Sequence, residues 1–261
     1  MYLAICAVVK NEFFYLREWI EFGLLQGVEQ FFITDNGSTD GTLDILEEYA
    51  RKGLVTYTSD ERSPIQFVAY NFWLGCFKDS QDPPHWVAFL DADEYLHSPG
   101  GARVADILPN YEDAAAVAVH WVLYGSKESE GSLVTERFQH RAKEVNQHTK
   151  VIVKPSKTSE VGKNPHYFLV DGKTTDENGD VLRNFYGLKK EGTADILRIA
   201  HFHIKSWPEY LERKSTKPDP GTNRFIQDIK GTFDAHDVNE MFDPSAACWA
   251  EAVKKSIEER K

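Results

Sequence analysis

The chain is short of cysteine, of long apolar runs and of positive charge, and each shortage closes off a class of protein. Its 261 residues hold three cysteines, Cys6, Cys76 and Cys248. The number is odd, the spacings are wide and no CxxC occurs, so neither a disulfide framework nor a thiolate zinc site is indicated. No apolar run approaches the ~18 residues needed to span a bilayer. Met1 to Val9 is apolar but carries no basic leader and stops at Lys10-Asn11-Glu12. It reads as a buried strand, not a signal peptide. A reducing, cytoplasmic setting fits these absences, with the inner face of a membrane permitted. Lys and Arg total 30 against 41 Asp and Glu, a net charge of −11. Such a chain has no general attraction for a phosphate polymer, which argues against a nucleic-acid partner. A small anionic ligand would need a local device to offset the surrounding acid. No internal repeat and no clean linker is visible, so one domain is expected.

What is present points to a packed α/β protein. Apolar residues make up 41 % and aromatics 13 %, enough for a sizeable core. Leu3 to Val9 is a β-rich run typical of a strand buried on both faces. Glu12 to Leu25 follows with Leu16, Trp19, Ile20 and Leu24 at helical spacing. Gln30–Thr34 is a second strand. The turn Asp35-Asn36-Gly37-Ser38-Thr39-Asp40-Gly41-Thr42 opens a helix, with Ser38 or Thr39 as its expected cap. Leu54–Thr58 is a third strand. Ser63 and Pro64 look like the N-cap and first residue of a helix running to about Lys78. Trp86–Leu90 and Ala115–Val122 are a fourth and fifth strand.

Later segments are plainer. Val151–Val153 and His201–Ile204 read as strands, and Asp176–Asp180 as a turn. Lys157–Asn164, Lys189–Thr193 and Lys217–Gly221 read as loops, and Ser245–Arg260 as an amphipathic helix. That helix carries Lys254, Lys255, Arg260 and Lys261 around an apolar stripe. Packing on the domain is its commoner fate, and peripheral contact with an anionic membrane is the alternative.

Strand–helix alternation implies a mostly parallel sheet with helices on both faces. Such sheets bind ligands beyond the carboxyl ends of their strands. Lys10–Glu12, Asp35–Ser38, Ser59–Arg62 and Asp91–Glu94 therefore share one rim. Asp91-Ala92-Asp93 is its centre. Two carboxylates two residues apart in an extended segment point the same way and repel unless a cation lies between them. A dication with oxygen ligands, Mn²⁺ or Mg²⁺, resolves the conflict; a solvated acidic turn is the plainer alternative. Asp35 and Asn36 can hydrogen-bond a nucleobase, and Gln66 and Asn71 lie on the third helix, within reach of a donor. Trp121 and Tyr124 can stack on a sugar, or fill the core. Lys205, Lys214 and Lys217 form a basic patch, or are ordinary surface lysines.

Val9-Lys10-Asn11-Glu12, the Asp35–Thr42 turn and Asp91-Ala92-Asp93-Glu94 resemble the nucleotide-sugar-binding half of family-2-like GT-A glycosyltransferases. Trp121–Ser126, Lys150–Pro155, Pro165–Phe168 and His201–Ser206 narrow the likeness to family-92-type glycosyltransferases, the former domain of unknown function 23. The resemblance covers roughly residues 1 to 215. It implies a single Rossmann-like GT-A domain. Residues 1–125 would bind the donor, 126–215 would complete the acceptor and metal side, and 216–261 would form a C-terminal loop and helix.

The resemblance also implies roles. Asp91 and Asp93 would be the catalytic pair that holds a metal and the donor diphosphate, with His203 as a third metal ligand and Lys205 on a phosphate. Asp35 or Asn36 would meet uracil, and the backbone of Ala7 to Val9 would line the same pocket. The activity implied is metal-dependent transfer of a hexose from a UDP-sugar, UDP-galactose by analogy, to a glycan, with inversion. No base for inversion is singled out among Asp171, Asp176 and Glu177. Two alternatives remain: a non-catalytic sugar-binding module, and a nucleotidyltransferase, which would want a glycine-rich loop where Lys10-Asn11-Glu12 stands.

Overall fold

The structure, a computed structural model, describes residues 1–216 and 225–260. Its first half alternates as the sequence implies: β1 (Leu3–Val9), α1 (Leu16–Leu25), β2 (Gln30–Asp35), α2 (Thr42–Arg51), β3 (Val55–Ser59), α3 (Gln66–Asp79), β4 (Trp86–Phe89). Then come β5 (Glu94–His97), α4 (Val104–Ile107), β6 (Ala116–Leu123), α5 (Val134–Arg137), β7 (His140–Arg141) and β8 (Thr149–Val153). The remainder comprises β9 (Thr158–Val161), β10 (Phe168–Val170), β11 (Thr174–Thr175), β12 (Arg198–His201), α6 (Trp207–Thr216), α7 (Ile229–His236), β13 (Met241–Phe242) and α8 (Ala250–Glu259).

The main sheet runs β3-β2-β1-β4-β8-β6-β12-β5, with β11 also on β6. Strands β3, β2, β1 and β4 are parallel. β8 is antiparallel to both β4 and β6, and β12 returns parallel to β6. The carboxyl ends of β1, β2, β4, β6 and β12 therefore share one rim.

Alternation along β1 explains the two cores. Leu3, Ile5, Ala7 and Val9 face α1 and α2, whose Leu16, Trp19, Ile20, Ile45, Leu46 and Tyr49 are buried with them. Ala4 and Cys6 face the other way, against Tyr70, Trp73, Leu74 and Phe77 of α3. α8 packs on α1 through buried Val253. There Glu21, wholly buried, accepts from Tyr49, Ser256 and Arg260. One face of the C-terminal helix is thus packed on the domain. Lys261 and the Lys217–Gly221 segment lie outside the described residues.

Several local expectations are corrected. α1 begins at Leu16, not Glu12, because the amides of Asn11, Glu12 and Phe13 already donate to Ser38 Oγ, Thr42 Oγ1 and Asp40 Oδ2. Asn11 takes a left-handed φ of 53° to make that turn. Ser38 and Thr39 consequently cap nothing. α2 starts after Gly41, at φ 90°, and Asp40 accepts from the amide and hydroxyl of Thr42. α3 starts at Gln66 after Ile65, so Ser63 and Pro64 stand ahead of it without capping. The expected loop 157–164 contains β9, an edge strand paired with β10. β12 ends at His201; its ladder is extended once more by Phe202 N–H donating to the Asp93 carbonyl at 2.9 Å.

Candidate active site

The β2 end supplies the first polar group. Asp35 is buried, and its Oδ2 accepts from the amides of Gly37 and Ser38 at 3.0 and 3.1 Å. Its Oδ1 is buried with no partner, an expensive state for a carboxylate oxygen unless a ligand donates to it. Asn36 is committed elsewhere. Its Nδ2 donates to the carbonyls of Asp60 and Arg62, and its amide donates to the Val9 carbonyl at 2.8 Å. Of the two side chains left open by the sequence, Asp35 is the one with a buried atom that has no partner among the described residues. Ala7 and Val9 sit beside it in the β1–β2 ladder.

The acids after β4 diverge. Asp91 Oδ2 lies 2.9 Å from Lys150 Nζ, and Oδ1 accepts from Gln66 Nε2 at 2.9 Å. Gln66 thus reaches the site, whereas Asn71 is spent on the Val161 amide of β9. Lys150, on the central strand β8, is 1 % exposed and also lies 3.5 Å from Glu94, which is wholly buried. Burial alone would discharge this lysine, but Asp91 and Glu94 outweigh it and raise its pKa. Burial also pushes the Glu94 carboxyl well up, toward its neutral form. Lys150–Asp91 is therefore the ion pair and Glu94 its buried neighbour.

Asp93 faces a different set. Oδ2 meets Arg213 Nη1 of α6 at 2.7 Å, and Oδ1 lies 3.5 Å from His201 Nε2. Burial would raise its pKa, yet His201, Arg213 and Lys205 hold it well below the usual range. Arg213 also donates to the His203 carbonyl. His203 rests against His201, ring centroids 4.9 Å apart, and burial with His201 and Arg213 keeps it neutral. Lys205, at φ 52°, lies with its ammonium 4.4 Å over the Tyr15 ring. Burial, then Arg213, lowers its pKa.

The sequence pointed to one cage of Asp91, Asp93 and His203. The structure instead gives Asp91 to Lys150 and Asp93 to Arg213 and His201. Among the described residues no three His, Cys, Asp or Glu side chains are grouped to hold a metal ion. As they stand the residues do not fit a dication, which would have to displace Arg213, and no chemical step below runs through one. Arg213 and Lys150 were missed by sequence reading. Arg213 carries no motif, and Lys150, though it opens the Lys150–Pro155 stretch of the family resemblance, has no role assigned to it there.

Other candidates have structural duties. Tyr124 is in the core. Glu177 accepts from Thr193 and the amides of Asp195, Ile196 and Leu197. Asp176 accepts from the Asn178 and Asp180 amides and pairs with Lys189. Asp171 is exposed. Lys214 has its ammonium 5.7 Å over the Tyr210 ring.

A parallel sheet whose carboxyl rim gathers an open buried carboxylate, two Asp and three cations is an α/β ligand-binding fold with its site at the strand ends. The family 92 glycosyltransferase profile matches residues 2–228. The chain belongs to glycosyltransferase family 92. A family 92 protein of Oryza sativa subsp. japonica is 32 % identical over 111 residues, which is 42 % of this chain and 18 % of that protein. One from Arabidopsis thaliana is 30 % identical over 97 residues, 37 % of this chain and 16 % of its own. The matched stretches thus span less than a fifth of these relatives. Crystal structures of S. aureus TarS are also similar. TarS 1–349 has a TM-score of 0.40 at 17 % identity, covering 60 % of this chain and 48 % of that one. Its complex with UDP-GlcNAc has a TM-score of 0.36 at 21 % identity, covering 50 % and 36 %.

Proposed function

We propose that the chain is a glycosyltransferase that moves a hexose from a UDP-sugar to a glycan acceptor. Family membership supports the reaction class. The observation that carries the reading is Asp93, partly buried on the strand-end rim between Arg213 and His201 with Lys205 close by. The donor lies along the rim, with its uracil toward Asp35 and its diphosphate toward Arg213 and Lys205, the cations beside Asp93. Arg213 and Lys205 face the charge that builds on the departing UDP, and preorganised cations in a partly dry site act strongly on such charge. Acceptor and anomeric carbon are held together by the same loops, a positioning effect. Galactose as the sugar, and inversion of configuration, are proposed from the family resemblance. Asp176 and Glu177 are not proposed as the base, since both are spent on backbone.

The test is calorimetric binding of UDP followed by assay of donor hydrolysis and transfer. Wild type is expected to bind UDP and release it from a UDP-hexose. Asp93→Ala should abolish turnover in a protein that still folds cooperatively, at a melting temperature lowered by the loss of the Arg213 ion pair. UDP binding without any turnover would favour the non-catalytic module, and a fully active Asp93→Ala variant would remove Asp93 from the mechanism.

A further inference from the structure

Beyond Asp93 along the same rim, a tryptophan and four histidines stand in contact. Trp121 lies two residues before the end of β6 and His201 ends the neighbouring parallel strand β12, with Ile199 opposite Trp121 in register. The Trp121 ring lies 4.3 Å from His201, is stacked on His148 at 5.1 Å and meets His166 edge-on at 5.1 Å. His203 follows His201 at 4.9 Å. Two of these rings are anchored: His148 Nδ1 lies 2.8 Å from Asn146 Oδ1, and His166 Nδ1 lies 2.8 Å from the Thr149 carbonyl. The other three each keep a buried polar atom without a partner: Trp121 Nε1, His201 Nδ1 and His203 Nδ1. His201 is 8 % exposed. Buried nitrogens without partners are uncommon and costly. Three of them in mutually touching rings call for a ligand.

The chemistry of the three atoms limits that ligand. An imidazole nitrogen donates or accepts according to its proton, while Trp121 offers only a donor. Burial lowers the pKa of His148 and His166, that of His166 to about 4, so the anchored rings beside Trp121 are neutral near pH 7. Neutral imidazole pairs naturally with hydroxyl groups, which both donate and accept. An anion would face Asp93, and a cation would face Arg213. The Trp121 ring is already in contact with three histidines, so recognition falls to its edge nitrogen and not to stacking.

We infer that Trp121, His201 and His203 form the acceptor subsite and take a neutral pyranoside ring through its hydroxyl groups. The inference rests on the donor assignment above, because strand order then places uracil at β2, diphosphate after β4 and acceptor at β6–β12.

The probes are methyl hexopyranosides of galactose, glucose, mannose, fucose and N-acetylglucosamine, each added to the ¹⁵N-labelled chain with saturating UDP. At least one is expected to bind and to move the Trp121 indole N–H resonance and the His203 ring signals. Trp121→Phe, which keeps a ring and removes the N–H, should weaken that glycoside about tenfold, the worth of one good hydrogen bond, and leave UDP affinity within about twofold. The inference is overturned if no glycoside moves the Trp121 resonance, or if Trp121→Phe binds as wild type. Should that variant fail to fold, the wild-type resonances decide alone. Failure of UDP to bind in these samples strikes the donor reading. Failure of the glycosides with UDP still bound strikes only the acceptor subsite.

Discussion

Arg213 and Asp93 lie 120 residues apart in the chain and meet at 2.7 Å. The pair joins α6 to the strand-end rim. It sets the charge of the site, since a partly buried carboxylate this close to a guanidinium stays ionised.

A dication and Arg213 would compete for that one carboxylate. Arg213→Gln is therefore expected to bind Mn²⁺ about tenfold more tightly than wild type, a difference of ~1.4 kcal/mol. Calorimetric titration of both proteins with Mn²⁺ checks this. Equal affinities would take Asp93 out of any ligand shell.

Lys150 is the counter-ion of Asp91 and lies against buried Glu94. Asp91 is 38 % exposed, so water screens the carboxylate left by losing Lys150 and the cost is about 1–3 kcal/mol, below that of a fully buried pair. Lys150→Met should lower stability by roughly that amount, read as a shift of the urea midpoint at unchanged slope. Adding Glu94→Gln should restore part of the loss, because the two residues couple. A Lys150→Met protein as stable as wild type would show that the charge is dispensable.

Asp35 and Asn36 should separate in a binding assay. Asp35→Asn replaces a carboxylate that holds two amides and offers one open oxygen; it should weaken UDP at least about tenfold, since a hydrogen bond to a charged group is worth about 1.5–3 kcal/mol. Asn36→Ala cuts the tie to Asp60 and Arg62 and should lower the melting temperature more than the affinity. The reverse pattern would put Asn36 on the base.

Acid should destabilise the protein in a defined window. Burial lowers the pKa of both His97 and His166 to about 4, against about 6.5 in an unfolded chain. Between those values the unfolded state binds more protons, so stability rises with pH and falls as pH drops from about 6.5 toward 4. His97→Gln should flatten that slope in denaturation curves recorded at several pH values. An unchanged slope would mean that other groups carry it.

The first half of the chain was readable because each strand there is a short apolar run and each turn is a cluster of small polar residues. Strand ends from β1 to β4 fall within a residue or two of expectation for that reason. The rim followed from topology alone, which placed Asp35, Asp91 and Asp93 together before any coordinates. The helix starts were less readable. Ser38, Asp40 and Thr42 have the composition of caps, but their oxygens serve the backbone of the neighbouring loop, and composition does not say whose amide an oxygen will meet. The ionic partners were hidden because they are long-range. Nothing near Asp93 in sequence announces Arg213, and β9 was obscured by polar residues that an edge strand tolerates.

The link between the Phe202 amide and the Asp93 carbonyl has a lasting effect on how such a protein can vary. Residues 93, 201 and 203 hang from two neighbouring lengths of main chain, so their separation is inherited from peptide geometry. Substitutions at 201 or 203 can then alter which sugar is favoured while the distance to the reacting centre stays put. Selectivity and reactivity are thereby free to evolve one at a time.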